Sequence, residues 1–555
     1  MKRFLFSLLL CCQISFSQIG FTARNAMVVS ARIEASEIGS EIMRQGGNAF
    51  DAAIAVQLAL AVAYPYAGNI SGGGFMVYRM NDGTSGSLDF RETAPLKASR
   101  DMFLDKNGNV IPNLSLSSAK AVGVPGSVAG IFEMHKKFGS LPIEKLFAPA
   151  IALARKGIVV TGKQLKQITD HKKEIISLNG NGTIYSGTFK IGDTIKYPEL
   201  AQTLERIEKN GANEFYKGRS AKMLIRFIAE KGGILSAKDL RSYKAIWRKP
   251  IEFDYRNIHV ISMGLPSSGG FCLNQMFKMI EPFDVSSLPH NSVDYITLLT
   301  EAEKRSYADR NYFLADPDFI KSPQNQLIDT TYLHHRLKSS DLENIIPSSQ
   351  ISHGDIPFSE SDQTTHFSIV DPFGNAVSVT TTLNGAFGSK LYCAELGFFL
   401  NNEMDDFSIK AGTQNYFGLT GSKANAIEPG KRMLSSMTPT IVEKEGKLFM
   451  VLGSPGGSTI ITSIFQNILN VAEFDMGMQQ SVGQPRMHHQ WLPDDILMEP
   501  DGFSGETIKQ LKDKGYKINI QAAPVIGKVD AILQLPNGTY EAGADPRGDD
   551  AAAGF

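Results

Sequence analysis

Two adjacent threonines, Thr364 and Thr365, head an apolar stretch, His366-Phe367-Ser368-Ile369-Val370, far from either end of the chain. A turn of Asp371-Pro372-Phe373-Gly374 joins it to Asn375-Ala376-Val377-Ser378-Val379-Thr380-Thr381-Thr382-Leu383-Asn384, which alternates and is rich in β-branched residues, so the two read as a buried hairpin. A threonine hydroxyl is a poor nucleophile until a base takes its proton, and an α-amine on the same residue supplies that base without a second side chain. The ordinary pKa of such an amine, roughly 7.7 to 8.0, suits proton transfer near neutrality. An internal threonine acquires a free amine only if the Gln363-Thr364 bond breaks, by attack of the Thr364 hydroxyl on the preceding carbonyl. Processing and activation would then be one event. The same Thr-Thr pair also reads as ordinary strand propensity, and His366 as a support of the strand.

The elements that must carry this hairpin follow from periodicity. Apolar residues recur at helical spacing over 34–45, 127–138, 143–155 and 291–311, which makes the part before the threonines helix-rich. The apolar block 49–62 contains Asp51 and Gln57 and is too short to span a bilayer, so it reads as a core helix after the Gly46-Gly47 helix stop. A second hairpin is expected from 440–442 with 448–452, followed directly by a helix over 459–473. Near the end, 504–514 reads as helix, and 529–534 pairs with 540–542 across Pro536-Asn537-Gly538. Hairpins with flanking helices fit a layered α+β sandwich.

Lysine plus arginine (56) nearly balance aspartate plus glutamate (57), which argues against nucleic acid or an anionic membrane as a main partner. A hydrophobic content of 42% in 555 residues suffices for a large core without disulfide staples. Length alone would divide such a chain into three or four units, but no linker interrupts it. Lys2-Arg3, the apolar run Phe4 to Cys12 and small residues at Ser15 and Ser17 read as a signal peptide over 1–17, hence an exported, periplasmic or secreted protein. A buried first strand is the other reading of this run, and a lipoprotein reading of Cys11 or Cys12 is weaker because the residues before them are not small. Of the remaining cysteines, Cys272 and Cys393, buried free thiols are the plain expectation, with a disulfide linking the two parts as the alternative. No phosphate loop, dinucleotide fingerprint or metal-spaced Cys/His set stands out, so no cofactor and no metal are expected; adjacent histidines such as His488-His489 point to opposite faces of a strand and are assigned to structure.

The chain resembles the gamma-glutamyltranspeptidase family over roughly residues 23–555. The resemblance rests on Gly46-Gly47-Asn48-Ala49-Phe50-Asp51-Ala52-Ala53, Ser71-Gly72-Gly73-Gly74-Phe75, Asp89-Phe90-Arg91-Glu92-Thr93-Ala94-Pro95 and Gly123-Val124-Pro125-Gly126. The second half adds Gln363-Thr364-Thr365-His366, Leu400-Asn401-Asn402-Glu403-Met404-Asp405-Asp406-Phe407, Leu434-Ser435-Ser436-Met437-Thr438-Pro439-Thr440, Gly453-Ser454-Pro455-Gly456-Gly457 and the closing Asp545-Pro546-Arg547. It implies an N-terminal-nucleophile hydrolase fold, a four-layer αββα sandwich built by two autoproteolytic subunits, 18–363 and 364–555, that stay together as a heterodimer around one core.

The resemblance also implies roles. Thr364 would be the nucleophile, and Thr382 would hydrogen-bond its hydroxyl, although strand threonines commonly only pack. Gly456 and Gly457 would form the oxyanion hole, the alternative being a plain turn. Arg91 with Ser435 and Ser436 would bind the carboxylate of the glutamyl head; an arginine meets a carboxylate with two bonds where lysine cannot. From its flanking Asp89 and Glu92, Arg91 also reads as a surface ion pair. Asn384, Glu403 and Asp406 would bind the head ammonium, and a solvated acidic turn is the other reading of the last two. The implied reaction is transfer of the gamma-glutamyl group of glutathione and related donors, through a threonyl ester, to water or to amino-acid or peptide acceptors. Residues 408–419 resemble the lid loop of bacterial members, except that Phe417, beside Tyr416, stands where several relatives carry a tyrosine that reaches the asparagine matched by Asn384, which puts lid latching in question. Two rivals stand beside this reading: an acylase of the same fold acting on cephalosporin-type amides, and an exported, unprocessed protein that only binds amino-acid heads.

Overall fold

The structure, a computed structural model, describes residues 19–353, 365–410, 415, 418–419, 423–521 and 525–555. Strands β1 (Thr22–Ala23), β2 (Met27–Ser30), β3 (Gly73–Arg79), β4 (Ser85–Asp89), β5 (Ile246–Arg248), β6 (Ile251–Tyr255) and β7 (Ile258–Ser262) precede the threonine pair. After it come β8 (Thr365–Val370), β9 (Ala376–Thr382), β10 (Thr440–Lys444), β11 (Lys447–Gly453), β12 (Asp530–Gln534), β13 (Tyr540–Gly543) and β14 (Ala551–Gly554). These make two antiparallel seven-stranded sheets, ordered β14-β2-β8-β9-β3-β4-β5 and β1-β13-β12-β11-β10-β7-β6. The helices that matter for the site are α1 (Ile33–Arg44), α2 (Ala49–Ala63), α3 (Ser127–Phe138), α4 (Ile143–Lys156), α5 (Gly269–Ile280), α6 (Val293–Phe313) and α7 (Thr459–Ala472).

The period-2 alternation of each strand decides the layering. In the first sheet Val28, Met76, Tyr78, Phe367, Ile369, Val377 and Val379 pack against α1 to α4. Their neighbours Met27, Val29, Phe75, Val77, Val370 and Ala376 point the other way and meet Ile261, Ile441, Val451 and Ile532 of the second sheet. The reverse face of that second sheet, through Val260, Val442, Met450, Leu452 and Leu533, packs against α5, α6 and α7. Three apolar interfaces thus separate four layers, and the αββα sandwich expected from the sequence is the observed architecture.

Both sheets draw strands from either side of the threonine pair, so neither part owns a core, and the length rule for domain number fails here. The 365–370/376–382 hairpin sits mid-sheet, with Thr365 opposite Thr381 and Val370 opposite Ala376. Asp371 closes it, accepting from the Phe373 and Asn375 N–H groups at 2.9 Å each and from the Ala49 N–H at 2.9 Å, which also ties the hairpin turn to the start of α2. Helix α2 is buried on every side, which is why its sequence shows no amphipathic stripe. Its one mid-helix amide, Gln57, reaches the hairpin, donating to Thr381 Oγ1 at 3.2 Å. The expected helices, including 504–514 as Gly505–Asp513, and the two later hairpins are present with ends shifted by no more than two residues. Cys272 and Cys393 are both buried and no disulfide joins them, so the disulfide alternative falls.

The Ser71-Gly72-Gly73-Gly74 run brings β3 against β9 closely. A Cβ on Gly72 would lie 1.8 Å from the Thr382 carbonyl oxygen, and one on Gly74 2.3 Å from that of Thr380. Gly72→Ala is therefore expected to cost about 2–3 kcal/mol through overpacking, read as a lower thermal unfolding midpoint; an unchanged midpoint would contradict the close approach.

Candidate active site

The hairpin's open end organises the first half of the site. Thr382 is opposite Gly73, and its Oγ1 accepts from the Asn384 N–H at 2.7 Å. The Thr382 carbonyl accepts from Asn69 Nδ2 at 2.8 Å, while Asn69 Oδ1 takes the Gly72 N–H at 2.9 Å and Ser127 Oγ at 2.7 Å. Thr382 is thus held from the glycine run and from the start of α3. Since Thr365 pairs with Thr381, Thr382 is the next position on the partner strand toward the open end. Gln363 and Thr364 themselves lie outside the described residues. Asn384 adopts a φ of 70°, in the left-handed region that asparagine tolerates better than most residues. Its Nδ2 donates to the Asn402 carbonyl at 3.1 Å, and its Oδ1 is buried with no hydrogen-bond partner among the described residues.

Arg91 follows β4 and is fully buried, so the surface ion-pair reading of it is wrong. Its guanidinium is paired with both Glu403 and Asp406, which stand on a 3-10 turn, Glu403–Asp406, rather than a solvated loop. The backbone supports the same group: Nε and Nη2 donate to the Met433 and Leu434 carbonyls at 3.4 and 3.3 Å. The sequence reading assigned Arg91 and the two acids to different groups of the ligand; the structure puts them in contact, because a buried guanidinium must find its counter-charge.

The charges do not balance. Asp89 is matched by Arg248 at 2.7 Å and by Arg432 at 3.3 Å, but Arg91 faces Glu403, Asp406 and Glu92 together. Burial, and then the neighbouring carboxylates, push Glu403 well above the ordinary carboxylate range despite Arg91, and push Glu92 up to about 8. Glu403 Oε2 and both Glu92 oxygens are buried without hydrogen-bond partners among the described residues. One guanidinium among three carboxylates, with unsatisfied acceptors on Asn384 and Glu403, makes a buried cluster suited to an ammonium.

The remaining expected residues lie on the 434–436 segment and on the bend after β11. Leu434 leads into Ser435 and Ser436, both buried. Ser435 Oγ accepts from the Met437 N–H at 3.1 Å, and Ser436 Oγ accepts from Arg310 of α6. Gly456 and Gly457 follow β11 with φ of 139° and 69°, conformations that favour glycine. The Gly456 carbonyl accepts from Thr459 Oγ1 at 2.7 Å and that of Gly457 from the Ile460 N–H at 3.0 Å, while the two glycine N–H groups have no partner among the described residues. A bend that directs its carbonyls into a helix start and keeps its N–H groups available can stabilise an oxyanion.

Sequence reasoning missed Glu92 beside Arg91, and Arg310 and Asn69 as supports. Arg310 carried no signal, since α6 holds Glu301, Glu303, Lys304, Arg305, Asp309 and Arg310 and all are buried, whereas charge normally marks a solvent face. His366 is a strand support as expected, its ring nitrogens meeting Thr380 Oγ1 at 2.9 Å and Ser368 Oγ at 3.0 Å, and burial lowers its pKa to about 3. His488 meets Thr462 Oγ1 at 2.8 Å and Gln490 Oε1 at 2.9 Å, while His489 faces Asp494 at 3.3 Å. Half of 408–419, Tyr416 and Phe417 included, and residues 1–17 lie outside the described residues.

The family profile described as gamma-glutamyltranspeptidase matches residues 35–555. The glutathione hydrolase proenzyme of Escherichia coli (strain K12) is 43% identical over 538 residues, covering 96% of this chain and 92% of its own. The crystal structure of Helicobacter pylori gamma-glutamyltranspeptidase aligns with a TM-score of 0.57 at 39% identity, over 59% of this chain and 94% of that one. A cephalosporin acylase from Bacillus halodurans has the same fold throughout, with a TM-score of 0.85, 23% identity, and coverage of 100% and 99%.

Because Glu92 holds its proton more tightly when folded, its stabilising contribution is complete below the ordinary carboxylate range and is lost as pH rises toward about 8. Glu92→Gln is expected to flatten the fall of the unfolding midpoint between about pH 5 and pH 8 relative to the parent; an equal fall in both would contradict the raised value.

Proposed function

Because this chain belongs to the gamma-glutamyltranspeptidase family, we propose that it is an autoprocessing enzyme that cleaves gamma-glutamyl amides, glutathione among them, and passes the group to water or to amino acids and peptides. The observation that carries this is the acceptor excess around Arg91: unsatisfied oxygens on Asn384 and Glu403 beside a guanidinium outnumbered by carboxylates. A zwitterionic amino-acid head brings the missing ammonium to Asn384, Glu403 and Asp406, while its carboxylate goes to Arg91, Ser435 and Ser436. Fold alone would not choose this head over the one an acylase takes.

In this reading the Thr364 hydroxyl attacks the Gln363 carbonyl, the C–N bond breaks as the acyl group passes to oxygen, and water hydrolyses the resulting ester, which frees the Gln363 carboxylate, the Thr364 hydroxyl and its α-amine and divides the chain into 18–363 and 364–555. The shared sheets hold the two pieces together as a heterodimer. The released α-amine of Thr364 then takes the proton of its own hydroxyl, with Thr382 orienting that hydroxyl, as the oxygen attacks the substrate's gamma carbonyl. The Gly456 and Gly457 N–H groups bind the resulting oxyanion. The leaving amine, cysteinylglycine in the case of glutathione, takes a proton and departs, leaving a threonyl ester that water or an acceptor amine resolves. No step calls for a metal or a cofactor. No helix among the described residues is long and apolar enough to cross a membrane, and the N-terminal 1–17 segment supports export to the periplasm or beyond.

Denaturing electrophoresis tests the core of the proposal. The parent is expected to run as two fragments, the smaller beginning at Thr364, whereas Thr364→Ala remains one chain and releases no amine; a single full-length parent band without amine release would favour a binding protein. Arg91→Lys is expected to self-cleave yet raise the donor KM by about tenfold or more, since it replaces a two-pronged charged contact; unchanged kinetics would remove Arg91 from the site.

A further inference from the structure

Helix α6 belongs to the part of the chain before the threonine pair, yet one of its faces grips two loops of the part after it. Tyr307 and Arg310, three residues apart and so on the same face, are both buried. The Tyr307 hydroxyl donates to the carbonyl of Ser458, the residue after Gly457. Arg310 donates from Nη2 to Ser436 Oγ and from Nε to Ser268 Oγ at 2.8 Å. Ser268 in turn delivers its N–H and its Oγ–H to the Ser435 carbonyl, each at 2.7 Å, and the Ser435 N–H donates to the Pro266 carbonyl at 2.9 Å. One guanidinium therefore reaches both serines of the pair, one directly and one through a single relay.

The direction of these bonds matters. A guanidinium has five donors and no acceptor, so Ser436 Oγ receives from Arg310 and its own hydrogen must point elsewhere. A hydroxyl whose lone pair is engaged by a cation is also polarised into a better donor. The result is a hydroxyl fixed as a donor two residues after the Leu434 carbonyl that Arg91 bonds, which is the role an incoming carboxylate requires. We propose that Arg310 is a positioning residue for the carboxylate grip, fixing Ser436 as donor and setting Ser435 through Ser268, and so determining preference for donors that carry an α-carboxylate. This rests on the gamma-glutamyl reading above and adds to it a specificity determinant that does not touch the substrate.

The test compares gamma-glutamyl-p-nitroanilide with 4-aminobutyryl-p-nitroanilide, which differs only in lacking the α-carboxylate. In the parent the first is expected to be strongly preferred in kcat/KM. Arg310→Met should reduce that preference about tenfold or more, mainly through the KM of the carboxylate-bearing substrate, as for loss of a charge-assisted hydrogen bond. Arg310→Lys should restore part of it, and adding Ser436→Ala to Arg310→Met should cost little more, because the two act through one contact. Ser268→Ala, which keeps the cation and removes the relay, should move the preference the same way by a smaller factor. If Arg310→Met slows both substrates equally, or if it fails to fold and Ser268→Ala leaves the preference unchanged, Arg310 supports only the fold. A parent that turns over neither substrate, or both alike, removes the underlying gamma-glutamyl reading instead.

Discussion

The burial of Arg91 is the constraint around which this molecule is arranged. A charged group taken out of water costs several kcal/mol unless paired, and the guanidinium is matched by carboxylates from one turn and by carbonyls from the 433–434 segment. Both come from the part of the chain after the threonine pair, whereas Arg91 comes from the part before. Space is kept for this cluster by glycine: a Cβ on Gly73 would lie 2.4 Å from Glu92 Oε2. What the protein leaves undone is the charge balance, and a site left acid-rich and short of donors gains most from a ligand that brings an ammonium.

The same logic explains why two pieces would hold together after a cut between them. Each sheet combines strands from before and after the threonine pair, and the apolar layer between the sheets contains residues from both. The polar links follow the same pattern: Asn69 to Thr382, Asp371 to the Ala49 N–H, and Arg310 to Ser436 all cross from one part to the other. A break at one peptide bond removes none of these.

Much of this was readable in the sequence. The hairpin was legible because β-branched alternation and an Asp-Pro-Phe-Gly turn leave little else for 365–384 to be, and α3 because its apolar spacing is regular from Ser127 to Phe138. The site residues were legible through motif resemblance, since Arg91, Asn384, Glu403, Asp406 and the two serines are scattered over the chain and no local period joins them. The contact between Arg91 and the acids was not legible, because pairing across hundreds of residues depends on the fold. Glu92 looked like one half of a charged surface pair, and Arg310 sat in a helix whose charges from Glu301 to Arg310 are all buried; composition assigns such residues to solvent, and only the packing of α6 under the second sheet overrules it.

The central claim is that an ammonium completes this site. It is tested most directly by comparing gamma-glutamyl-p-nitroanilide with glutaryl-p-nitroanilide, identical except that the α-ammonium is absent. The account predicts that kcat/KM favours the gamma-glutamyl substrate by a factor of about a hundred or more, because the glutaryl group leaves the Asn384 and Glu403 oxygens unsatisfied and adds no positive charge. Comparable turnover of the two would contradict it and point to an acylase.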